Sequence, residues 1–333
     1  MKLRVLCALL VSLLAGGCET IAYYRQAIGG QLELLAAARP VEDWLADPTT
    51  PPELRGRLET AQGIRQFASR SLGLPDNRSY RSYAELGRPF VVWNVFAAGE
   101  FSVEPRKECF PLIGCVSYRG FFSEQEAHRY AAGLKAEGYD VHVGGVPAYS
   151  TLGWFDDPLL STFIRYPDAQ LARLIFHELA HQLFYKPNDT TFNESFAVTV
   201  EEEGVRRWLE AGARPGELET FRAVQARRQR FAAAVNLARE RLAAAYKEKA
   251  APEILRRRKA EEYGRLRAQY PAIVPPQPNN AFLVSIALYN ELVPELEALL
   301  RESGSLEAFY ARARELARSR EKLKRLEAPS PAS

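Results

Sequence analysis

An α+β fold, mainly helical, is predicted by three features of the 333-residue sequence. Runs rich in β-branched and aromatic residues cluster between residues 90 and 143, as strands do. Apolar residues at helical spacing occupy most of the remainder. The two kinds of segment are segregated rather than alternating, which favours α+β over a parallel α/β sheet.

The elements follow in order. Ile28 to Ala38 and Pro52 to Leu72 read as helices, separated by Pro48, Pro51 and Pro52. Phe90 to Phe96 and Val116 to Phe122 read as strands. Ser123 to Glu137 reads as a helix, with Ser123 and Glu126 forming a capping box. Tyr139 to Val143 is a further strand, ending at Gly144-Gly145. Pro167 to Trp208 is helical, with Asp168 as its N-cap and Lys186-Pro187 as a stop. Long Ala- and Arg-rich helices fill 217 to 270, and Pro271 to Pro278 connects them to helices over Ala281–Leu300 and Ser305–Leu326. The chain is thus divided at 1–17, 18–89, 90–210, 211–326 and a disordered tail, 327–333.

Charge and hydropathy exclude some functions. A net charge of +3 is too small to imply nucleic-acid binding. Fourteen Lys or Arg face five Asp or Glu between Phe221 and Tyr270, and a solvated helix face explains such a run better than contact with anionic lipid.

The N-terminus carries an export signal. Lys2 and Arg4 precede the apolar run Val5–Leu14 and small residues, so residues 1–17 read as a signal peptide. Leu14-Ala15-Gly16-Gly17-Cys18 resembles the bacterial lipobox, which implies that Cys18 is acylated and anchors the chain. Glu19 in place of Asp favours the outer membrane, facing the periplasm. Cys7 departs with the signal, which leaves Cys109 and Cys115. In an oxidising compartment that pair predicts a disulfide closing the loop around Pro111 and Gly114.

The chemistry lies in His177-Glu178-Leu-Ala-His181. Residues four apart share a helix face, so His177 and His181 converge on one point, and two imidazoles there suit Zn²⁺. Glu178 misses that point but reaches a water held at it, as a general base requires. With only four His in the chain, a chance match is on the order of one in a few hundred. A third ligand is required. Glu194, in Asn193-Glu194-Ser-Phe-Ala197, is the first candidate. Glu201 is the alternative, and Thr191-x-x-Glu194 also reads as a capping box. Tyr149, Tyr185 and Tyr289 are candidate donors to an oxyanion. The Gly- and aromatic-rich stretch 144–158 is a candidate edge strand for an extended substrate.

HExxH followed by Asn-Glu-x-x-Ala resembles the gluzincin zinc peptidases. Gly144-Gly145, Ala148-Tyr-Ser-Thr-Leu-Gly-Trp-Phe155, HELAHQLFY (177–185), Asn193–Ala197, Asn279-Asn280-Ala281 and Tyr289-Asn290, with the lipobox, resemble a family of predicted bacterial aminopeptidase lipoproteins. That resemblance spans nearly the whole mature chain. It implies a gluzincin-like catalytic core over 90–210, with a small sheet and flanking helices. It also implies one Zn²⁺ on His177, His181 and Glu194, Glu178 as catalytic base, and a peptide or protein substrate cut by aminopeptidase rather than endopeptidase action. The aminopeptidase Glu of a Gly-x-Met-Glu-Asn strand is missing, with Asp156 or Asp157 as substitutes. The competing reading is a non-catalytic, zinc-stapled envelope lipoprotein acting as an adaptor.

Overall fold

The computed structural model describes residues 23–110 and 114–327, with residues 320–327 as backbone only. The signal segment, Cys18 and the tail 328–333 lie outside the described residues.

The first helix, α1, covers residues 23–37. It is followed by β1 (Arg39–Pro40), α2 (Val41–Ala46) and α3 (Pro52–Leu72). Pro52 opens α3, where its missing N–H costs nothing, and Gly73 closes it at φ 66°. Next come β2 (Ser82–Ala84), β3 (Val92–Gly99), the hairpin β4 (Glu108–Phe110) and β5 (Gly114–Val116), and β6 (Arg119–Phe121). Helix α4 (Glu124–Ala136), β7 (Tyr139–Val146) and β8 (Leu159–Leu160) complete the strand-bearing part. Helices α5 (Asp168–Leu183), α6 (Thr190–Ala211), α7 (Pro215–Tyr246), α8 (Pro252–Gln269), α9 (Asn280–Asn290), α10 (Val293–Ser303) and α11 (Leu306–Glu327) make up the rest. The protein is α+β and mainly helical.

The central sheet has the order β6-β3-β7 and is antiparallel throughout. Period-two alternation along β3 sorts its side chains onto two faces. Trp93, Val95 and Ala97 pack with Ala127, Ala131 and Leu134 of α4. Phe96 and Ala98 pack with Ala281, Val284 and Leu288 of α9. The sheet is therefore sandwiched between α4 and α9, and Asn94 lies on the α9 side. The largest apolar cluster joins α3, α5, α6 and α11 and reaches from Leu34 to Ala317.

Several local expectations change. The run 116–122 is broken at Ser117-Tyr118 into two short strands. Strand β7 continues through Gly144-Gly145 to Val146, every residue paired with β3; a Cβ at Gly145 would overlap the Phe90 ring. Of the expected edge segment 144–158, only 144–146 is strand in this central sheet, and residues 147–158 form a loop. Ser123 does cap α4, accepting from the Glu126 N–H. Asp168 is not an N-cap: Pro167 holds that position, and the Asp168 carboxylate pairs with Arg57 and Arg214. A three-stranded patch, β1-β2-β8, was not foreseen. The basic stretch is laced with ion pairs, among them Arg239–Glu291, Arg241–Glu262, Arg256–Glu100 and Lys259–Asp140.

Candidate metal centre and cleft

Helices α5 and α6 pack against each other across a connection of residues 184–189. Asn193 fixes that turn. Its Oδ1 accepts from the Lys186 N–H at 2.7 Å, and its Nδ2 donates to the Lys186 carbonyl at 2.8 Å. Asp189 caps α6 by accepting from the Phe192 N–H. Thr191 is thus already inside the helix, so the capping-box reading of Thr191 and Glu194 does not hold. Glu194 is left free to face α5. Asn188, at φ 66°, ties the same turn to the β4–β5 hairpin by accepting from the Cys115 N–H at 2.7 Å. Gly114 is required there, because it has φ 77° and a Cβ would lie 2.5 Å from Asn188 Oδ1. Cys109 and Cys115 are disulfide-bonded across the hairpin.

Three donor atoms converge in the α5–α6 groove. His177 Nε2 and His181 Nε2 lie 3.2 Å apart. Glu194 Oε2 lies 3.4 Å from the first and 3.6 Å from the second. A tetrahedral ion with bonds of about 2.0–2.1 Å spaces its ligands about 3.3–3.4 Å apart, close to this triangle. His177, His181 and Glu194 are all buried and form a group able to hold a metal ion. Burial alone would raise the Glu194 carboxyl, but His181 and His177 hold it down at about 2. Glu194 is opposed by the His181 and His177 imidazoles, and Glu201 by Arg173 and His177. A bound cation would take the place of the imidazole charge opposite Glu194. A two-nitrogen, one-oxygen donor set suits zinc.

Glu201 is not aimed at the triangle. Its Oε2 accepts from His177 Nδ1 at 2.8 Å, and its Oε1 accepts from Arg173. It therefore fixes the imidazole so that Nε2 points inward, the usual task of a carboxylate behind a ligating histidine. Glu178, next to His177 on α5, is buried at the edge of the cleft. Burial raises its pKa, against the lowering effect of His177 and His181.

The triangle opens into a cavity of about 470 Å³, lined by His177, Glu178, His181 and Glu194 together with Tyr149, Tyr185 and Tyr289. The two histidines, Glu178, Glu194 and the three tyrosines singled out in the sequence meet here, whereas Glu201, Asp156 and Asp157 do not line the cavity. Tyr118, which the sequence reading missed, lines it too. Burial pushes the phenols of Tyr118 and Tyr289 well above the usual range, and Glu194 and Glu178 add to both. Tyr185 responds to burial and to Glu194, whereas Tyr149 responds to burial and to Asp157. The Tyr289 ring also stacks on His177, 6.4 Å between centroids.

The loop 147–158 forms one wall. Asp157 anchors it by accepting from the Thr151 N–H at 3.1 Å, the Thr151 hydroxyl at 2.7 Å and Gln182 Nε2 at 3.0 Å. Gln182 follows His181, so the helix that carries the histidines also fixes this wall. Asp156 points outward toward Arg78. Neither aspartate lines the cavity, so neither takes the substitute role considered for them.

A family described as putative aminopeptidase matches residues 22–328. No curated protein and no solved structure matches the chain. Since the match runs from the start of α1 to the end of α11, the chain belongs to the putative aminopeptidase family.

Proposed function

We propose that this protein is a zinc-dependent peptidase, with Zn²⁺ held by His177, His181 and Glu194. The observation that carries the reading is the buried donor triangle, open on one side to a cavity and flanked by a buried carboxyl that is not part of it. Zinc at that position supplies a Lewis acid and makes water nucleophilic near neutral pH.

The chain's own residues do the remaining work. Glu178 takes the proton from the attacking water and returns it to the leaving amine. Its burial raises its affinity for that proton, which suits a group that must first accept and then donate. Tyr289, whose ring stacks on His177, and Tyr118, Tyr149 and Tyr185, which line the same cavity, are the candidate donors to the oxygen that gains charge. Glu201 keeps His177 in the ligating orientation. A structural zinc staple would have no use for Glu178, and this favours catalysis over the adaptor reading.

The test combines metal analysis with turnover of a peptide library. Parent protein should carry one zinc and cleave peptides, and Glu178→Gln should keep the zinc while losing about 10²–10⁴-fold in turnover. A protein that takes up no zinc, or a Glu178→Gln variant as active as its parent, contradicts the proposal. We also propose that Cys18 is the lipidated N-terminus and holds the enzyme at the bacterial envelope, in the outer membrane. Cys18→Ser should lose acyl labelling and become soluble. Unchanged membrane retention contradicts it.

A further inference from the structure

An enzyme that trims N-terminal residues must accommodate the substrate's ammonium group. A cation leaving water is held most strongly by a carboxylate opposite it, because an unpaired buried charge is strongly unfavourable. Among the described residues lining the cavity, the only acids are Glu178 and Glu194, and no Lys or Arg is present. Glu194 belongs to the metal triangle and Glu178 must be free to exchange a proton. Asp157 is already engaged with Thr151 and Gln182, and Asp156 faces Arg78 outside. Among its described lining residues, therefore, the cleft offers no spare charge to either end of a peptide.

What it offers instead is uncharged. Phe110, Val116 and Phe122 line one side, and Asn94 supplies a neutral amide from β3. At the mouth, Trp154 is 76% exposed and Phe155 48% exposed. They are the only strongly exposed large aromatic side chains among the described residues, and both line the cavity. Their display is built in. Leu152 and Gly153 turn the chain at φ 58° and 80°, and the Thr151–Asp157–Gln182 bonds fix the base of the loop. Solvent-facing aromatics on an anchored loop at a cavity mouth form a surface suited to apolar side chains.

We propose that the cleft binds an internal or N-blocked stretch of polypeptide carrying an aromatic or large aliphatic side chain, and that a free α-amine is not required. The proposal names the substrate class for the peptidase reading and rests on it for the identity of the occupant. Binding tests it without turnover. The full chain carrying Glu178→Gln, loaded with zinc, is titrated with a Phe-centred pentapeptide amide in free-amine and N-acetylated forms, followed by calorimetry.

The acetylated peptide should bind at least as tightly as the free amine. Replacing its Phe by Asp or Lys should weaken binding by about tenfold or more, and Trp154→Ala, at an exposed position, should weaken it several-fold. Free-amine peptide binding about tenfold tighter than the acetylated form would overturn the proposal. So would the absence of binding by either form at millimolar concentration. Binding by the blocked peptide with no cleavage by the parent would remove the peptidase reading and leave this one standing. Cleavage restricted to free-amine peptides would do the reverse.

Discussion

Replacing Glu201 by Gln separates a residue that orients a ligand from one that is a ligand. In the parent, Glu201 Oε2 receives the His177 Nδ1 proton at 2.8 Å while Oε1 holds Arg173. An amide can satisfy only one of these donors with its oxygen, and its NH₂ must then face the other. The His177 ring loses its orientation, or Arg173 loses its anion. Removing such a partner typically weakens metal binding about 10–100-fold, or about 1.4–2.7 kcal/mol. Arg173 is about one-third exposed, so water compensates part of its loss and only a modest fall in stability is expected. Zinc affinity is read by competition with a chelator, with Glu194→Gln beside it. Glu194→Gln should lose more affinity than Glu201→Gln, and excess zinc should restore both in part. Unchanged affinity in Glu201→Gln would refute the orienting role. A loss larger than that of Glu194→Gln would show that Glu201 is the third ligand.

Two further outcomes follow from the walls of the cleft. Burial raises the Asp157 carboxyl to about 6 even though Thr151 and Gln182 donate to it. Its folded-state pKa thus exceeds its unfolded value of about 3.9, and the folded protein binds more protons between these limits. Asp157 therefore contributes a loss of stability as pH rises from about 4 to about 6, on the order of 2–3 kcal/mol at most. Asp157→Asn should remove that contribution and be no less stable than its parent at neutral pH; urea unfolding in which parent and variant share the same pH slope would contradict this. The Cys109–Cys115 bond closes a short loop, sequence separation 6, for which chain entropy gives about 2 kcal/mol. Non-reducing mass spectrometry should find Cys109 and Cys115 joined, and reduction should lower stability by no more than that amount.

How much could be read from the sequence depended on whether the information was local. His177, Glu178 and His181 were legible because the i, i+4 rule brings two imidazoles together on any helix. Glu194 was legible from its neighbour, although the reason is visible only in space: Asn193 clamps the Lys186 backbone and so aims Glu194 at α5. Glu201 could not be assigned. Whether a glutamate two turns along α6 meets Nε2 or Nδ1 of His177 depends on how α5 and α6 pack. Tyr118 was hidden for a related reason, since a break between two short strands places it in the cavity rather than in a sheet face. Asp168 was misread because its partners, Arg57 and Arg214, are remote in sequence and outcompete a local cap. The two- and three-residue strands β1, β2 and β8 carry no periodicity for a pattern to detect. The basic helices carry ion pairs along their length, among them Arg239–Glu291 and Lys259–Asp140, whose acidic partners are remote in sequence.

The central claim is that Glu178 acts chemically on a water beside a zinc ion that it does not ligate. Zinc content and peptide turnover, measured together on the parent and on Glu178→Gln, test this most directly. The account predicts one zinc per chain in both proteins and a turnover about 10²–10⁴-fold lower in the variant. Loss of zinc from the variant, or turnover equal to the parent's, would contradict it.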